Sequence, residues 1–278
     1  MRTLILSTLA MLAFAANSIL CRMALGDGLI DAASYSWIRI LAGAVTLAAI
    51  VLLKAGGRLV LDADWRSALA LSVYTVCFSF AYLTLAAGTG ALILFGAVQL
   101  TMFAVSLTSG ERFPALAWFG LAAAIGGLIW LLAPGVTAPE PLGALLMAAA
   151  GIAWGAYSLL GRGVADATRA TAWNFVLSVP IVLAASFAFA SDISVSTGGV
   201  LLAVASGAIA SGVGYVIWYA ALKGLAASDA ATIQLSVPVI AALGGVLLLS
   251  EPLTLRLAIA SVATLGGVAI VLRARASA

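Results

Sequence analysis

The stretch "GIAWGAYSLLGRGV", residues 151–164, repeats the pattern of an earlier stretch, "MLAFAANSILCRMA", residues 11–24. In each, an apolar run of helical length carries aromatic and polar side chains and ends on an arginine, Arg22 in the first and Arg162 in the second. A constant shift of 140 residues, from Arg22 to Arg162, superposes the two copies. Two matching segments half a chain apart predict an internal repeat.

The composition of the whole chain indicates where these segments lie. Of the 278 residues, 64% are hydrophobic and 8% are charged, whereas a soluble domain averages about 45–50% apolar and about 25% charged residues. The apolar runs are continuous instead of alternating, which favours α-helices over a β-barrel in the bilayer. At roughly 20 apolar residues per span, we predict an all-α membrane protein with ten transmembrane helices. The predicted helices cover residues 3–22, 34–53, 66–87, 91–109, 115–133, 142–161, 171–190, 198–222, 230–249 and 254–272.

The N-terminal residues share features with a cleaved signal peptide. They combine a positive start, an apolar stretch and the small-residue pattern Ala13-Phe14-Ala15. The apolar run continues past this pattern to about Leu25, and the residues that follow it recur in the second copy. We therefore expect this segment to be retained as the first transmembrane helix.

The distribution of Lys and Arg predicts the orientation in the membrane. If Met1 lies in the cytoplasm, ten of the 13 basic residues fall at cytoplasmic helix ends and three at the opposite ends. The cytoplasmic set is Arg2, Lys54, Arg58, Arg66, Arg112, Arg162, Arg169, Lys223, Arg273 and Arg275, and the other set is Arg22, Arg39 and Arg256. Cytoplasmic loops carry the excess of basic residues. We therefore predict a multi-pass protein of a bacterial-type inner membrane with both termini in the cytoplasm.

Further landmarks obey the same shift. It superposes Glu111 on Glu251, Gly126-Gly127 on Gly266-Gly267, and Phe78 on Trp218. Each half then holds five helices, and because five is odd, the second half must enter the membrane from the opposite side. This predicts two inverted five-helix repeats, residues 1–137 and 138–278, an arrangement found in many secondary transporters.

The stretch "SDAATIQLSVPVIAALGGVLLLSEPLTLRLAIASVATLGGVAIVL", residues 228–272, carries Pro238-Val239, Glu251 and the sequence Gly266-Gly267-Val268. This order resembles the closing pattern of the drug/metabolite transporter superfamily in its ten-helix form with two EamA-type domains. The first half has Val98 where the second has Pro238, so we expect a proline kink in helix 9 but not in helix 4. The aromatic character of the chain looks closest to the YddG-type exporters of aromatic amino acids. The resemblance implies alternating access, in which hairpins 3–4 and 8–9 move around a cavity lined by helices 1, 3, 4, 6, 8 and 9.

The distribution of charges limits the possible cargo and the possible chemistry. No Asp, Glu, Lys or Arg lies in the middle third of a predicted helix, and the chain has no His. Because an ionisable group at the bilayer centre is costly, we expect an uncharged path, a neutral or zwitterionic cargo and no proton coupling. Without His there is neither a Ser-His-Asp triad nor an HExxH zinc site, so we expect no enzyme activity, catalytic residue, metal or cofactor. The basic residues are scattered, which argues against binding of nucleic acid.

The candidate cavity residues are polar and aromatic side chains that share helix faces. Tyr74, Phe78 and Tyr82 are spaced by four residues, as side chains on one face of a helix are. The full set is Asn17, Tyr74, Phe78, Tyr82, Gln99, Trp154, Tyr157, Ser211, Tyr215, Trp218 and Gln234. Such residues can stack on a planar ring and hydrogen-bond the ends of an amino acid. The alternatives are an interfacial belt position for Tyr82 and interhelical packing or hydrogen bonding for the others.

The charged residues at helix ends have simpler interpretations. We expect Glu111 and Glu251 to cap or pair with a nearby helix terminus or Arg, and Arg22 and Arg162 to extend toward the two membrane interfaces. The leading functional hypothesis is an inner-membrane exporter of aromatic and other neutral amino acids. The alternatives are an exporter of drugs or other small metabolites and a non-transporting membrane scaffold. The sequence makes no prediction of the oligomeric state.

Overall fold

The computed structural model describes residues 1–54, 64–189, 193–225 and 227–276. Arg58, one of the predicted cytoplasmic cations, lies outside the described residues, as does the side chain of Arg275. The helices are α1 (Arg2–Gly26), α2 (Ala32–Lys54), α3 (Trp65–Ala81), α4 (Ala87–Thr108), α5 (Ala115–Leu132), α6 (Pro141–Leu160), α7 (Ala167–Phe189), α8 (Thr197–Leu222), α9 (Ala227–Gln234 and Ser236–Leu249) and α10 (Leu255–Ala276).

The described helices confirm the predicted all-α membrane architecture. Within the described ranges, nine of them are long and apolar enough to cross a membrane. The remaining one, α3, has 17 residues and ends at Ala81, six residues before the predicted end. The chain turns at Tyr82, whose amide donates to the carbonyl of Phe78. Gly88 and Gly90, expected in a loop, therefore lie inside α4, where Gly90 lets the Tyr82 ring lie against the helix backbone.

Successive helices run in opposite directions, so the molecule has two ends. The Glu251 end holds the connections α1–α2, α3–α4, α5–α6, α7–α8 and α9–α10. The Arg162 end holds Met1 and the connections α2–α3, α4–α5, α6–α7 and α8–α9. At the Glu251 end, the α1–α2 and α7–α8 connections are joined by an antiparallel bridge between Ile30 and Val195.

The helix packing has a two-fold pattern. Helix α1 packs against α8 and α9, while α6 packs against α3 and α4, and α2 packs against α7 as α5 does against α10. The predicted shift of 140 residues relates the contacts of α1 with α8 and α9 to those of α6 with α3 and α4. It relates the pairs α2–α7 and α5–α10 each to itself. The packing therefore agrees with a repeated arrangement of five helices, and the division into residues 1–137 and 138–278 stays a prediction.

Helices α8 and α9, both in the second half, are irregular. Residues Ala205–Val213 of α8 form a π-helical segment, in which Gly207 packs directly on the backbone carbonyl of Arg39 in α2. Helix α9 is interrupted at Leu235, which precedes Pro238 by three residues. The proline ring displaces the carbonyl four residues before it and offers no N–H to bond it, and that carbonyl belongs to Gln234, the last residue before the break. The corresponding helix α4, which carries Val98, is continuous.

Candidate functional site

A cavity of about 500 Å³ lies between α1, α3, α4, α6, α7, α8 and α9. Ten of the eleven predicted cavity residues line it: Asn17, Tyr74, Phe78, Gln99, Trp154, Tyr157, Ser211, Tyr215, Trp218 and Gln234. The volume falls in the range of about 300–1,000 Å³ that is typical of small-molecule sites. The cavity brings these residues together, and their binding of a cargo stays a prediction.

The cavity opens at the Arg162 end. Its lining there includes Asp64, Gly161 and Arg162, of which Gly161 and Arg162 are exposed. Asp64 caps the first turn of α3, accepting hydrogen bonds from the amides of Arg66 and Ser67. Burial acts to raise the pKa of Asp64, but the Ser67 hydroxyl and these amides outweigh it and hold the pKa below its ordinary value. The mouth therefore carries both a carboxylate and a guanidinium at neutral pH.

Aromatic rings form a continuous wall inside the cavity. The ring of Trp154 lies 4.9 Å from Tyr74, 5.3 Å from Tyr157 and 5.5 Å from Tyr215, measured between centroids. Phe14 extends this wall, 5.7 Å from Tyr215. The rings come from α1, α3, α6 and α8, so both halves of the chain contribute. Such a surface can stack on a planar ring of a cargo.

A chain of buried hydrogen bonds connects the deep wall of the cavity with α2. The Ser206 hydroxyl donates to Asn17 Oδ1 at 2.6 Å, and Asn17 Nδ2 donates to the Tyr74 hydroxyl oxygen at 3.1 Å. Arg39 Nη2 donates to the same oxygen at 2.9 Å. The π-helical segment of α8 carries Ser206, so the irregularity of α8 supplies the first member of this network.

Arg39 corrects the expectation of an uncharged interior. It lies two turns into α2, about 10 Å along the axis from Ala32, and its side chain is 3% exposed. The sequence places Arg39 among the cations at helix ends, because helix 2 is predicted to begin at residue 34 and a long side chain can extend to the interface. In the structure the guanidinium instead lies over the rings of Phe78 and Tyr74, 4.7 and 5.2 Å from their centroids.

A second polar cluster lies nearer the mouth and was not expected. The Tyr157 hydroxyl donates to Thr171 Oγ1 at 3.3 Å, and that oxygen lies 2.7 Å from the Tyr219 hydroxyl. Thr171 and Asn174 of α7 both line the cavity, although the resemblance implies no role for helix 7. Their spacing of three residues places them on one face of α7, which is the signal that could have identified them.

The Glu251 end is closed by an ion pair. Arg22 Nε lies 3.2 Å from Glu251 Oε1, with the two side chains 25% and 13% exposed. Glu251 Oε2 accepts a hydrogen bond from the amide of Ala87, the first residue of α4, at 2.8 Å. Arg22 also donates to the carbonyls of Tyr82 and Leu83. Glu251 thus takes the expected capping role, whereas Arg22 ties α1 to the α3–α4 connection instead of extending to the interface.

Tyr82 is the predicted cavity residue that the structure places elsewhere. It is fully buried, beyond Phe78 on the side of the Glu251 end, with the two ring centroids 4.8 Å apart. Its hydroxyl donates to the carbonyl of Ala87 at 3.3 Å. Tyr82 therefore lies one turn beyond Phe78, next to the Arg22–Glu251 pair through the bond from Arg22 to its carbonyl, and does not line the cavity.

Comparisons with known proteins agree with this architecture. The sequence model of the EamA-like transporter family matches residues 141–273, which cover α6 to α10. The chain is 49% identical over 251 residues to the uncharacterized protein PA1977 of Pseudomonas aeruginosa, a match that covers 90% of this chain and 88% of that protein. A crystal structure of a protein with 20% sequence identity has the same fold, with a TM-score of 0.66 and coverage of 95% of both chains.

Proposed function

We propose that this chain, which carries a domain of the EamA-like transporter family at residues 141–273, exports small neutral or zwitterionic metabolites, foremost aromatic and other neutral amino acids. The observation that carries the proposal is the single-ended cavity, which an aromatic wall lines and an ion pair closes. A site of this kind can enclose an aromatic side chain and still offer hydroxyl and amide groups to the polar end of an amino acid.

We propose that transport follows alternating access between two states of opposite opening. In the state described here, the Arg22–Glu251 pair closes one end and Arg162 is exposed at the other. The shift of 140 residues superposes Arg22 on Arg162 and Glu251 on Glu111. In the opposite state, an Arg162–Glu111 pair would close the Arg162 end while the Arg22–Glu251 pair separates. With Met1 in the cytoplasm, as the basic residues predict, the present opening faces the cytoplasm and can receive cargo for export.

The acidic groups of the cavity favour transport without proton coupling. Among the described residues that line it, Asp64 is the only acid, and it lies at the mouth. Hydrogen bonds keep its pKa below the ordinary value, so it stays ionised at neutral pH. A proton carrier needs a group that gains and loses its proton during the cycle. We therefore propose that net flux follows the concentration gradient of the cargo.

The test is flux into liposomes that contain the purified protein. Labelled Phe, Trp and Thr are followed with and without a pH gradient, and a set of amphipathic drugs is tested beside them. We expect saturable uptake of Phe and Trp that does not depend on the pH gradient. Absence of saturable flux for every amino acid contradicts the proposed cargo, and flux that stops when the pH gradient is removed contradicts passive transport.

A matched pair of variants shows whether flux uses the cavity. Trp154→Leu removes a ring from the centre of the wall, whereas Trp130→Leu makes the same change at a side chain that is 49% exposed on the outer surface of α5. We expect Trp154→Leu to reduce uptake of Phe about fivefold, since one ring contact contributes about 1 kcal/mol beyond its burial. Trp130→Leu should retain uptake, and equal losses in both variants would contradict the cavity as the transport path.

A further inference from the structure

We propose that Tyr74, supported from behind by Arg39, is a binding site for the carboxylate group of the cargo. The proposal rests on the proposed function and specifies its substrate class: aromatic compounds that carry a carboxylate. It follows from the unused hydrogen of one hydroxyl and from the charge of one buried side chain.

The Tyr74 hydroxyl has one hydrogen-bonding capacity left. Its oxygen accepts from Asn17 Nδ2 at 3.1 Å and from Arg39 Nη2 at 2.9 Å. A phenolic oxygen has two acceptor positions and one proton, so both acceptor positions are occupied. The proton finds no acceptor among the residues that the structure describes, and Tyr74 lines the cavity. A cargo in the cavity can supply the acceptor for this proton.

Arg39 makes that acceptor an anion. Its side chain is 3% exposed, and its Nη1 atom is buried with no hydrogen-bond partner within the described part of the chain. Arg has donors only and keeps its charge in proteins. A buried cation without a counter-charge is strongly unfavourable, and none of the ion pairs described for this structure includes Arg39. An anionic group in the cavity would compensate this charge at short range, where the low dielectric strengthens the attraction.

The wall between Arg39 and the cavity is one side chain thick. The guanidinium carbon lies 5.2 Å from the centroid of Tyr74 and 4.7 Å from that of Phe78, and both rings face the cavity. Its hydrogen bond to the Tyr74 oxygen polarises the hydroxyl, which becomes a stronger donor toward the cavity. The ring of Trp154 lies 4.9 Å from that of Tyr74. A carboxylate at Tyr74 would thus leave the aromatic part of the cargo within reach of the Trp154 wall.

The ligands for the test differ only in their charged groups. L-phenylalanine has a carboxylate and an ammonium group, 3-phenylpropionate has the carboxylate alone, and phenethylamine has the ammonium group alone. Binding to the purified protein is measured by calorimetry, separately from flux in liposomes. We expect both carboxylates to bind and to compete with each other, and phenethylamine to bind at least tenfold more weakly. Equal binding of phenethylamine and 3-phenylpropionate would overturn the proposal.

The variant Tyr74→Phe keeps the ring and removes the donor. We expect the Kd of L-phenylalanine and of 3-phenylpropionate to rise roughly 10- to 100-fold, the range for a hydrogen bond to a charged group, with the Kd of phenethylamine unchanged. The matched control is Tyr35→Phe, which removes another buried tyrosine hydroxyl that lies outside the cavity lining. Equal effects of Tyr74→Phe on all three ligands would contradict a carboxylate site.

Arg39→Lys and Arg39→Met test the charge itself. Lys keeps the charge and should retain part of the preference for carboxylates, whereas Met fills similar space without charge and should abolish the preference. If Arg39→Met does not fold, as judged by gel filtration, the carboxylate site is tested by the comparison of Tyr74→Phe with Tyr35→Phe. Carboxylate-selective binding without flux would overturn the proposed function and keep the site, and flux of aromatic compounds irrespective of their carboxylate would do the reverse.

Discussion

At the Glu251 end, the arginine of the first repeated stretch pairs with Glu251 and bonds the α3–α4 connection. At the Arg162 end, the arginine of the second stretch is exposed beside the mouth of the cavity. The two ends derive from matching sequence, "NSILCR" in one and "YSLLGR" in the other. The local pattern alone therefore does not decide whether an end is closed.

The ends differ in what fills the space behind the arginine. At the Glu251 end, Tyr82 is fully buried next to the Arg22–Glu251 pair. The shift places Leu222 at the corresponding position of the other end, and Leu222 lines the cavity. Closure of the Glu251 end thus depends on the packing of the α3–α4 connection against α1.

Among the changes that test the difference between the two ends, removal of the Glu251 carboxylate should have the largest effect on stability. Glu251→Ala leaves the partly buried Arg22 without its counter-charge and the first amide of α4 without its cap. We expect a loss of roughly 3 kcal/mol of stability, the lower limit for breaking a buried pair, because this pair is partly exposed. Glu111→Ala should cost far less in the present state, since Glu111 is exposed and exposed charges contribute little. Thermal unfolding in detergent measures both.

The same two variants should move the conformational equilibrium in opposite directions. Ser18→Cys, placed in a background of Cys21→Ala and Cys77→Ala, reports which end gives access to the cavity lining. A membrane-impermeant thiol reagent should label this introduced thiol more from the Glu251 side in Glu251→Ala and less in Glu111→Ala. A shift of labelling in the same direction for both variants would contradict paired closure of the two ends.

A methyl group at Gly90 should have the second largest effect. At this position a Cβ atom meets the ring of Tyr82 at less than ordinary contact distance, and the ring is fully buried. We expect Gly90→Ala to destabilise the protein by about 2 kcal/mol through overpacking, despite the higher helix propensity of Ala. At the Arg162 end, Gly161 has helical backbone angles and its Cβ would make ordinary contacts. Gly161→Ala should therefore leave the unfolding temperature unchanged or slightly higher, and an equal loss in both would contradict tighter packing at the Glu251 end.

The sequence predicted the helices and most of the cavity for clear physical reasons. A continuous apolar run forms a helix in a bilayer because its backbone polar groups must bond one another. Residues four apart share a helix face, so Tyr74 and Phe78 line the same wall of the cavity. Tyr82 follows the same spacing, but α3 ends one residue before it. The residue at which a membrane helix ends depends on the neighbouring parts of the chain. At the end of α3 these neighbours are Arg22 and Glu251, which are distant from Tyr82 in the sequence.

The burial of Arg39 is the feature of the site that the sequence could least predict. Its depth depends on how closely α2 and α8 approach, and that approach is set by Gly207 against the Arg39 backbone and by the π-helical segment around it. Neither feature has a periodicity that the sequence displays. The contribution of Thr171 and Asn174 was missed for a related reason, since the contact of α7 with the cavity arises from its packing on α2 and α3.

The break in α9 offers a smaller and more local test. The segment Ala227–Gln234 lies at the Arg162 end, whereas Ser236–Leu249 continues to the closed end. Pro238→Ala supplies an amide that can bond the Gln234 carbonyl, so we expect α9 to become continuous. Amide hydrogen exchange across residues 227–234 should slow, and flux should fall severalfold if the Arg162 end moves about this break. The control is Val98→Ala at the corresponding position of the continuous α4, and equal changes of exchange in both variants would contradict a role for Pro238.

The smallest expected effect concerns the carboxylates that cap one helix at each end. Asp64 caps α3 at the Arg162 end, and Glu140 caps α6 at the Glu251 end, where the amides of Gly143 and Leu142 hold the pKa of Glu140 below its ordinary value. Because the pKa of each is lowered in the folded protein, each contributes stability above the unfolded pKa, and this contribution is lost as the pH falls through the folded value. We expect Asp64→Ala to cost about 1 kcal/mol at pH 7, typical of a lost N-cap, and the difference from wild type to shrink below about pH 4. Thermal unfolding between pH 7 and pH 3 measures this, with Asp64→Asn as the control that keeps an acceptor without the charge. A difference between wild type and Asp64→Ala that stays constant down to pH 3 would show that the charge of this cap has no part in stabilising the Arg162 end.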